Sequence, residues 1–181
     1  MKISEELKGV QTIGISGHIR PDGDCVGSCM ALYMYLKKEF PKAVVEVFLE
    51  QPPEAFGCIK DIEEIHTDFK TKVEKFDVFI ALDTVKERMG EAEEFFDNAV
   101  KTINIDHHIS NKGCGSVNYI DANASSTSEL VYKVLDEEKI DAEIAKSIYI
   151  GIIHDTGVFN YSNTTPDALM IAAKLISFKF D

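Results

Sequence analysis

The feature that most constrains the fold is a repeated alternation of short Val- and Ile-rich runs with longer segments of helical periodicity. Nearly continuous apolar runs are typical of parallel strands that are covered by helices on both faces, because neither face of such a sheet meets water. The runs predict four strands, at residues 12–17, 43–49, 76–83 and 102–106. The sequence therefore predicts an α/β fold.

The segments between and after these runs predict helices. The first helix, at residues 25–40, runs into Pro41, which cannot continue it. Residues 91–96 form a short crossover, and the rest of the chain is mainly helical, with helices at 125–138, 141–157 and 165–178. Ser126, three residues before Glu129, is a capping-box pattern at a helix start. The predicted architecture is a doubly wound, mostly parallel sheet with helices on both faces and a mainly helical C-terminal part.

Polar residues follow three of the predicted strands at their C-terminal ends. In open α/β sheets, this edge is where ligands bind. One aspartate after a strand is often only the N-cap of the next helix, but that explanation does not cover three strands with histidines among the acids. The residues at this edge are His18, Asp22, Asp24, Asp83, Asp106, His107 and His108.

Carboxylates that lie close together repel one another, so they must take up protons or bind cations. Carboxylate oxygens combined with imidazole nitrogens suit one or two divalent ions. The mixed donor set favours Mn²⁺, with Mg²⁺, Fe²⁺, Co²⁺ and Zn²⁺ as alternatives. Two such ions would suit the attack of water on a phosphate ester.

The net charge of −12 limits the class of partner. Proteins that bind duplex DNA or another long polyanion usually carry a basic face, so such a partner is not expected. A small anionic substrate stays open, because bound divalent cations would reverse the field locally.

The sequence also indicates a location. It contains no run of 18 apolar residues that would predict a transmembrane helix, and the N-terminal residues lack the apolar run of a secretion signal. The four cysteines show no CxxC spacing, which favours reduced thiols. We expect a cytoplasmic protein that does not bind membranes.

Four segments, HIRPDGDCVGS, ALDT, IDHH and GIIHDTGVF, resemble in this order the four motifs of the DHH phosphoesterase family. The nearest likeness is to the nanoRNase and 3′-phosphoadenosine-5′-phosphate (pAp) phosphatase branch, and it covers residues 10–180. The resemblance implies hydrolysis of short oligoribonucleotides, linear dinucleotides or pAp by water activated by two metal ions.

The resemblance also implies a role for each polar residue. His18, Asp22 and Asp83 would bind one Mn²⁺, and Asp83 would bridge to a second ion that is also bound by Asp24, His107 and Asp155. Only the resemblance assigns Asp155, which the helix pattern alone leaves as a helix-end acid. His108 would contact the scissile phosphate and help protonate the leaving oxygen, while Asp106 would orient an imidazole.

Two further residues are candidate substrate contacts. Arg20 could neutralise a substrate phosphate or simply lie at the surface. Ser126 belongs to a helix start that could face an anion or act only as a cap.

Members of this branch have a second, C-terminal domain of the DHHA1 type, whose glycine-rich motif grips the nucleotide. This sequence contains no Gly-Gly pair and ends at Asp181. We therefore expect residues 1–181 to be the DHH catalytic domain without the substrate-binding domain, either cut at the linker or naturally single-domain. Turnover should then be weak. A homodimer is expected only from the family.

Two alternatives share these motifs. A family II inorganic pyrophosphatase has the same metal motifs and would act on pyrophosphate. A non-catalytic nucleotide- or metal-sensing module could keep the fold, although its usual mark would be a lost ligand, and none is lost here.

Overall fold

The computed structural model describes all residues, 1–181, and contains one five-stranded parallel sheet. The strands are β1 (Thr12–Ser16), β2 (Val44–Phe48), β3 (Val78–Leu82), β4 (Lys101–Asp106) and β5 (Val117–Ile120). Their spatial order is β2-β1-β3-β4-β5, a doubly wound order: β2 is added on one side of β1, and β3, β4 and β5 are added on the other side.

The predicted α/β class and all four predicted strands are confirmed. The sequence reasoning missed β5, a four-residue edge strand whose side chains are mostly half-buried. It also missed the single-turn helix α1 (Ile3–Glu6). The crossover at 91–96 is a helix, α3 (Ala92–Asn98).

The remaining predicted helices are present with shifted ends. The helix α2 (Gly23–Glu39) begins two residues earlier than expected. The helix α4 (Thr127–Val134) ends earlier, and a short 3₁₀ turn at Glu137–Lys139 follows it. The last two are α5 (Ala142–Asp155) and α6 (Pro166–Ile176). None of these helices combines the length and the apolar character needed to cross a membrane.

Both faces of the sheet are covered, as predicted. On β3, Ile80 and Leu82 point into the larger core beneath α2, α4 and α5, while Phe79 points to the opposite face. This division follows the two-residue period of a strand. The second face carries a smaller core of mainly phenylalanine side chains, covered by α3.

The helix α2 is enclosed between the sheet and α5. Every residue of α2 from Gly23 to Leu36 is buried, which fits a segment that is apolar almost all round. Glycines allow close contact there: a Cβ on Gly27 would lie 2.7 Å from the Ser147 carbonyl oxygen and 2.9 Å from the Gly151 nitrogen. The close crossing of α2 and α5 brings the start of α2 near the end of α5.

Candidate metal centre

The predicted cluster lies at the C-terminal edge of the sheet, around the point where the strand order reverses. His18 follows β1, Asp83 follows β3, and Asp106 ends β4. The helices add side chains from the other side, Asp24 from the first turn of α2 and Asp155 from the last turn of α5.

The loop between β1 and α2 is shaped by Asp22, which caps the helix. Its Oδ1 accepts hydrogen bonds from the backbone N–H groups of Asp24 (3.0 Å) and Cys25 (3.1 Å). The same oxygen lies 3.7 Å from Nε2 of His18, and the side chain is 43% exposed. Asp22 is therefore an N-cap that also faces the cluster.

The first potential ligand set is centred on His18, whose side chain is 7% exposed. Its Nδ1 lies 2.8 Å from the carbonyl oxygen of Ile19, which can only accept, so Nδ1 carries a proton. Nε2 then points at Oδ2 of Asp83 (3.4 Å) and at Asp22. Burial opposes the charged ring, but hydrogen bonds to Asp22 and Asp83 outweigh it and raise the pKa of His18 to about 11.

Cys25 lies beside this set and is fully buried. Burial raises the pKa of its thiol well above the usual range, so the thiol stays protonated. Cys25 was not a predicted ligand, and its protonated state agrees with a packing role.

The second potential ligand set is centred on His107. Its Nε2 lies 3.4 Å from Oδ2 of Asp155, 3.7 Å from Oδ1 of Asp83 and 3.9 Å from Oδ2 of Asp24. Burial and the neighbouring Asp24 raise the pKa of Asp155 to about 6. One imidazole nitrogen thus faces three carboxylates from three different elements.

Asp83 belongs to both sets, because its Oδ2 faces His18 and its Oδ1 faces His107. Its backbone is in the left-handed region (φ 56°), which an aspartate tolerates better than most residues. Thr127 Oγ1 donates a hydrogen bond to its Oδ1 at 3.1 Å. Burial and the Asp24 carboxylate raise the pKa of Asp83 to about 7.

Asp24 is fully buried and is held by the first turn of α4. The N–H of Thr127 donates to its Oδ2 (2.6 Å) and the N–H of Ser128 to its Oδ1 (2.9 Å). Burial raises the pKa of Asp24 despite these hydrogen bonds, which favour the charged form. The sequence showed Asp24 at the site but not this support from α4.

His108 and Asp106 form a hydrogen-bonded pair that adjoins Asp83 and His107, with the donor atoms of all four residues within 4.8 Å of one another. Nδ1 of His108 lies 2.7 Å from Oδ1 of Asp106, and the His108 side chain is 42% exposed. This hydrogen bond to Asp106 raises the pKa of His108 to about 9. Since Nδ1 is taken by Asp106, Nε2 is the ring nitrogen left for other contacts.

The two residues predicted as substrate contacts differ in their exposure to solvent. Arg20 is exposed, and its backbone N–H donates to Oε2 of Glu50 at 2.6 Å. Ser126 is fully buried, and its hydroxyl oxygen accepts the N–H of Glu129 at 3.1 Å, which is the cap of α4. A contact of either residue with substrate stays a prediction.

The donor set fits divalent cations. Ligand atoms around one ion at about 2.1 Å lie about 3.0–3.4 Å from each other, and the shortest imidazole–carboxylate distance in each of the two sets is 3.4 Å. Each set combines one imidazole nitrogen with several carboxylate oxygens, which suits Mn²⁺ and its competitors. Unneutralised carboxylates at this spacing otherwise need protons, as the raised pKa values of Asp83 and Asp155 indicate.

A protein-family model matches most of the chain. The model described as "DHH family, N-terminal domain" matches residues 12–152, which include both ligand sets except Asp155. The chain belongs to the DHH family.

Known relatives of this DHH chain carry consistent names. It is 33% identical over 181 residues to the "Bifunctional oligoribonuclease and PAP phosphatase NrnA" of Thermus thermophilus, covering 97% of this chain and 53% of that protein. It is 30% identical over 175 residues to the protein of the same name from Bacillus subtilis, covering 93% of this chain and 54% of that protein. The chain thus spans about half the length of these relatives.

Among solved structures, an exopolyphosphatase-related protein from Bacteroides fragilis superposes with a TM-score of 0.89 at 26% identity. The match covers 99% of this DHH chain and 56% of that protein. The whole fold described above, including α6, is therefore shared with that protein.

Proposed function

We propose that this chain is the catalytic domain of a metal-dependent phosphoesterase that hydrolyses short oligoribonucleotides, linear dinucleotides or pAp. The observation that carries the proposal is the position of Asp83 between two imidazoles, His18 on one oxygen and His107 on the other. A carboxylate shared by two nitrogen-centred sets is suited to hold two cations close together. The relatives named as oligoribonucleases and PAP phosphatases support the substrate class.

In this proposal, His18, Asp22 and Asp83 hold one divalent ion. The second is held by Asp24, Asp83, His107 and Asp155. When bound, two such cations lower the pKa of a water molecule and offset the charge of the phosphate oxygens. Mn²⁺ is the ion we expect first, with Mg²⁺, Co²⁺, Fe²⁺ or Zn²⁺ as alternatives.

The chain's own residues then supply proton transfer and orientation. Asp106 fixes the ring of His108 through Nδ1, so that Nε2 is left to face the scissile phosphate. With a pKa raised to about 9, the ring is protonated at neutral pH. As the bond between phosphorus and the leaving oxygen breaks, His108 donates a proton to that oxygen.

Binding of the remainder of the nucleotide is the part of the function that this site does not supply. We propose that a DHHA1-type domain, which the family resemblance implies, grips the nucleotide and speeds turnover. Arg20 is a candidate phosphate contact within this chain. The homodimer and the cytoplasmic location stay predictions.

The proposal is tested with Mn²⁺ titrations and with assays of hydrolysis. The assays measure phosphate release from pAp and mononucleotide release from a 5′-phosphorylated RNA dinucleotide. Asp83→Asn is compared with Asp77→Asn, a matched control, because Asp77 and Asp83 flank the same strand at opposite ends. We expect two Mn²⁺ per chain and hydrolysis in the wild type and in Asp77→Asn, and loss of both in Asp83→Asn.

Other results would contradict the proposal in distinct ways. Metal binding and hydrolysis that both survive in Asp83→Asn would reject the bridging role. Phosphate release from pyrophosphate but not from pAp would favour the pyrophosphatase alternative. A wild type that neither binds Mn²⁺ nor hydrolyses any of these substrates would reject the metal centre and favour the sensing module.

A further inference from the structure

A buried pair of asparagine side chains lies behind the Asp106–His108 pair. Asn104 lies on β4 and is fully buried, and Asn111 follows His108 by three residues and is 5% exposed. Neither side chain hydrogen-bonds a member of the two ligand sets. Buried amides are costly unless their hydrogen bonds are satisfied, so their partners indicate what they stabilise.

The amide of Asn111 has one possible orientation. Its Oδ1 accepts the backbone N–H of Gly113 at 2.7 Å. Its Nδ2 faces only acceptors, which are Oδ2 of Asp106 (2.5 Å), the carbonyl oxygen of Thr84 (3.1 Å) and Oδ1 of Asn104 (3.0 Å). Exchanging the oxygen and the nitrogen would place an acceptor against three acceptors, so the network fixes the orientation.

This orientation divides the carboxylate of Asp106 between two partners. Oδ2 accepts the hydrogen bond from Asn111, and Oδ1 accepts those from Nδ1 (2.7 Å) and the backbone N–H (3.2 Å) of His108. With both oxygens held, the carboxylate cannot rotate about its terminal bond without losing a hydrogen bond. The ring of His108 is fixed through it.

Asn104 connects the Asp106–His108 pair, through Asn111, to the segment that carries Asp83. Its Nδ2 donates to the carbonyl oxygens of Ala81 (3.2 Å) and Thr84 (3.0 Å). Since Asn111 also donates to the Thr84 carbonyl, both amides hold the residue directly after Asp83. The network thus sets the position of His108 relative to Asp83, whose Oδ1 lies 3.5 Å from Nδ1 of His108.

We propose that Asn111 is a positioning residue for the hydrolysis, because it holds Asp106 so that His108 keeps Nδ1 toward Asp106 and Nε2 toward the substrate. This inference rests on the proposed function. Partners that orient a functional side chain from behind are typically worth about 10–100-fold in activity.

The test compares Asn111→Ala and Asn111→Asp with Asn118→Ala. Asn118, on the neighbouring strand β5, is the control, because its side chain hydrogen-bonds only Gly115 and has no hydrogen bond to Asp106. We expect Asn111→Ala to lower kcat on pAp about 10–100-fold, with KM and the number of bound Mn²⁺ ions unchanged. Asn111→Asp should lower kcat further, because it turns the donor into an acceptor facing Asp106. Asn118→Ala should keep wild-type kcat.

A second measurement does not depend on activity. Long-range ¹H–¹⁵N spectra of the Mg²⁺-loaded protein report the protonation state of both nitrogens in each histidine ring and the hydrogen bonds that they make. We expect the ring signals of His108 to change in Asn111→Ala and those of His66 to stay in place. If the wild type hydrolyses none of these substrates, these spectra alone decide whether Asn111 positions the His108 ring.

Two results would overturn the inference. One is a kcat of Asn111→Ala within twofold of the wild type, or an equal loss in Asn118→Ala. The other is a set of His108 ring signals in Asn111→Ala that matches the wild type.

Discussion

Nε2 of His18 lies 3.4 Å from Oδ2 of Asp83, and both side chains are almost completely buried. No hydrogen is available on this nitrogen when Nδ1 donates to the Ile19 carbonyl and the ring is neutral. A lone pair on nitrogen would then face a carboxylate oxygen, an arrangement that a cation or a proton must stabilise. On the other side of Asp83, no backbone partner fixes the ring of His107, whose Nε2 faces three carboxylates.

The first prediction concerns the number of metal ions. His18→Ala and His107→Ala each remove the nitrogen of one set, so each should lower the stoichiometry from two Mn²⁺ per chain to one. Calorimetric titration with Mn²⁺ measures this, with His66→Gln as the control because the His66 ring packs against Phe48 at an angle of 36° and belongs to neither ligand set. Two ions still bound in either alanine variant would contradict the two-set assignment.

The second prediction separates His108 from the metal ligands. Because Asp106 occupies Nδ1, we expect His108→Ala to keep both Mn²⁺ ions while kcat on pAp falls about 10²–10⁴-fold, the usual range for loss of a general acid. Titration and steady-state kinetics on the same preparation measure the two effects. A loss of one bound ion would show instead that His108 is a ligand.

The third prediction concerns the crossing of α2 and α5. A Cβ at residue 27 would meet backbone atoms of α5 at 2.7–3.1 Å, and backbone cannot move aside cheaply. Gly27→Ala should therefore lower the free energy of unfolding by about 1–3 kcal/mol. It should also lower the affinity for the Mn²⁺ ion assigned to His107 more than the affinity for the ion assigned to His18, because the crossing brings Asp24 and Asp155 together.

Urea denaturation and Mn²⁺ titration check this prediction. Gly57→Ala is a suitable control, because Gly57 is exposed, has φ −59° and would place its Cβ 3.1 Å from the Glu54 carbonyl oxygen. Equal stability changes in the two variants would be evidence against a special role for the helix crossing.

The fourth prediction is a pH dependence of stability at the opposite edge of the sheet. Oδ2 of Asp77 accepts the N–H groups of Gln11 (2.9 Å) and Thr12 (3.0 Å), and these hydrogen bonds lower the pKa of Asp77. A carboxylate whose folded pKa is depressed stabilises the fold above its unfolded pKa of about 3.9. This stabilisation is lost as the pH falls through the folded value.

Asp77→Asn removes this charge. The wild type should exceed the variant by up to about 1 kcal/mol at pH 7, since the site is partly exposed and screened. The difference should shrink as the pH falls below about 4. Urea denaturation between pH 2.5 and 7 measures the difference, in which the titration of all other acids cancels. A difference that is constant over this range would reject the electrostatic origin.

Much of the fold follows from local pattern. The strands at the centre of the sheet are largely buried, so they appear as short apolar runs; β3, for example, is buried at every position. The sequence analysis did not predict β5 because this strand is short, lies at the edge of the sheet and contains the exposed Asn118 and the half-buried Tyr119. Its pairing with β4 depends on tertiary contacts and cannot be predicted from its own four residues.

The sequence predicted those residues of the site that directly follow a strand. His18, Asp83 and His107 follow parallel strands, and such ends converge at one edge of a sheet whatever the loops do. Asp155 comes from a helix, and its place depends on how closely α5 crosses α2. Asn111 lay next to the motif IDHH, but an asparagine in a loop looks like a turn residue until its buried partners are known.

The contact of Asp24 with the first turn of α4 bears on the order in which this centre is assembled. Both of its oxygens accept backbone N–H groups from α4, Oδ1 of Asp22 accepts two at the start of α2, and the oxygens of Asp106 accept hydrogen bonds from Asn111 and His108. In small zinc domains the ligands have no such partners, and folding waits for the ion. Here the chain itself holds these carboxylates in place, so its folding need not wait for an ion.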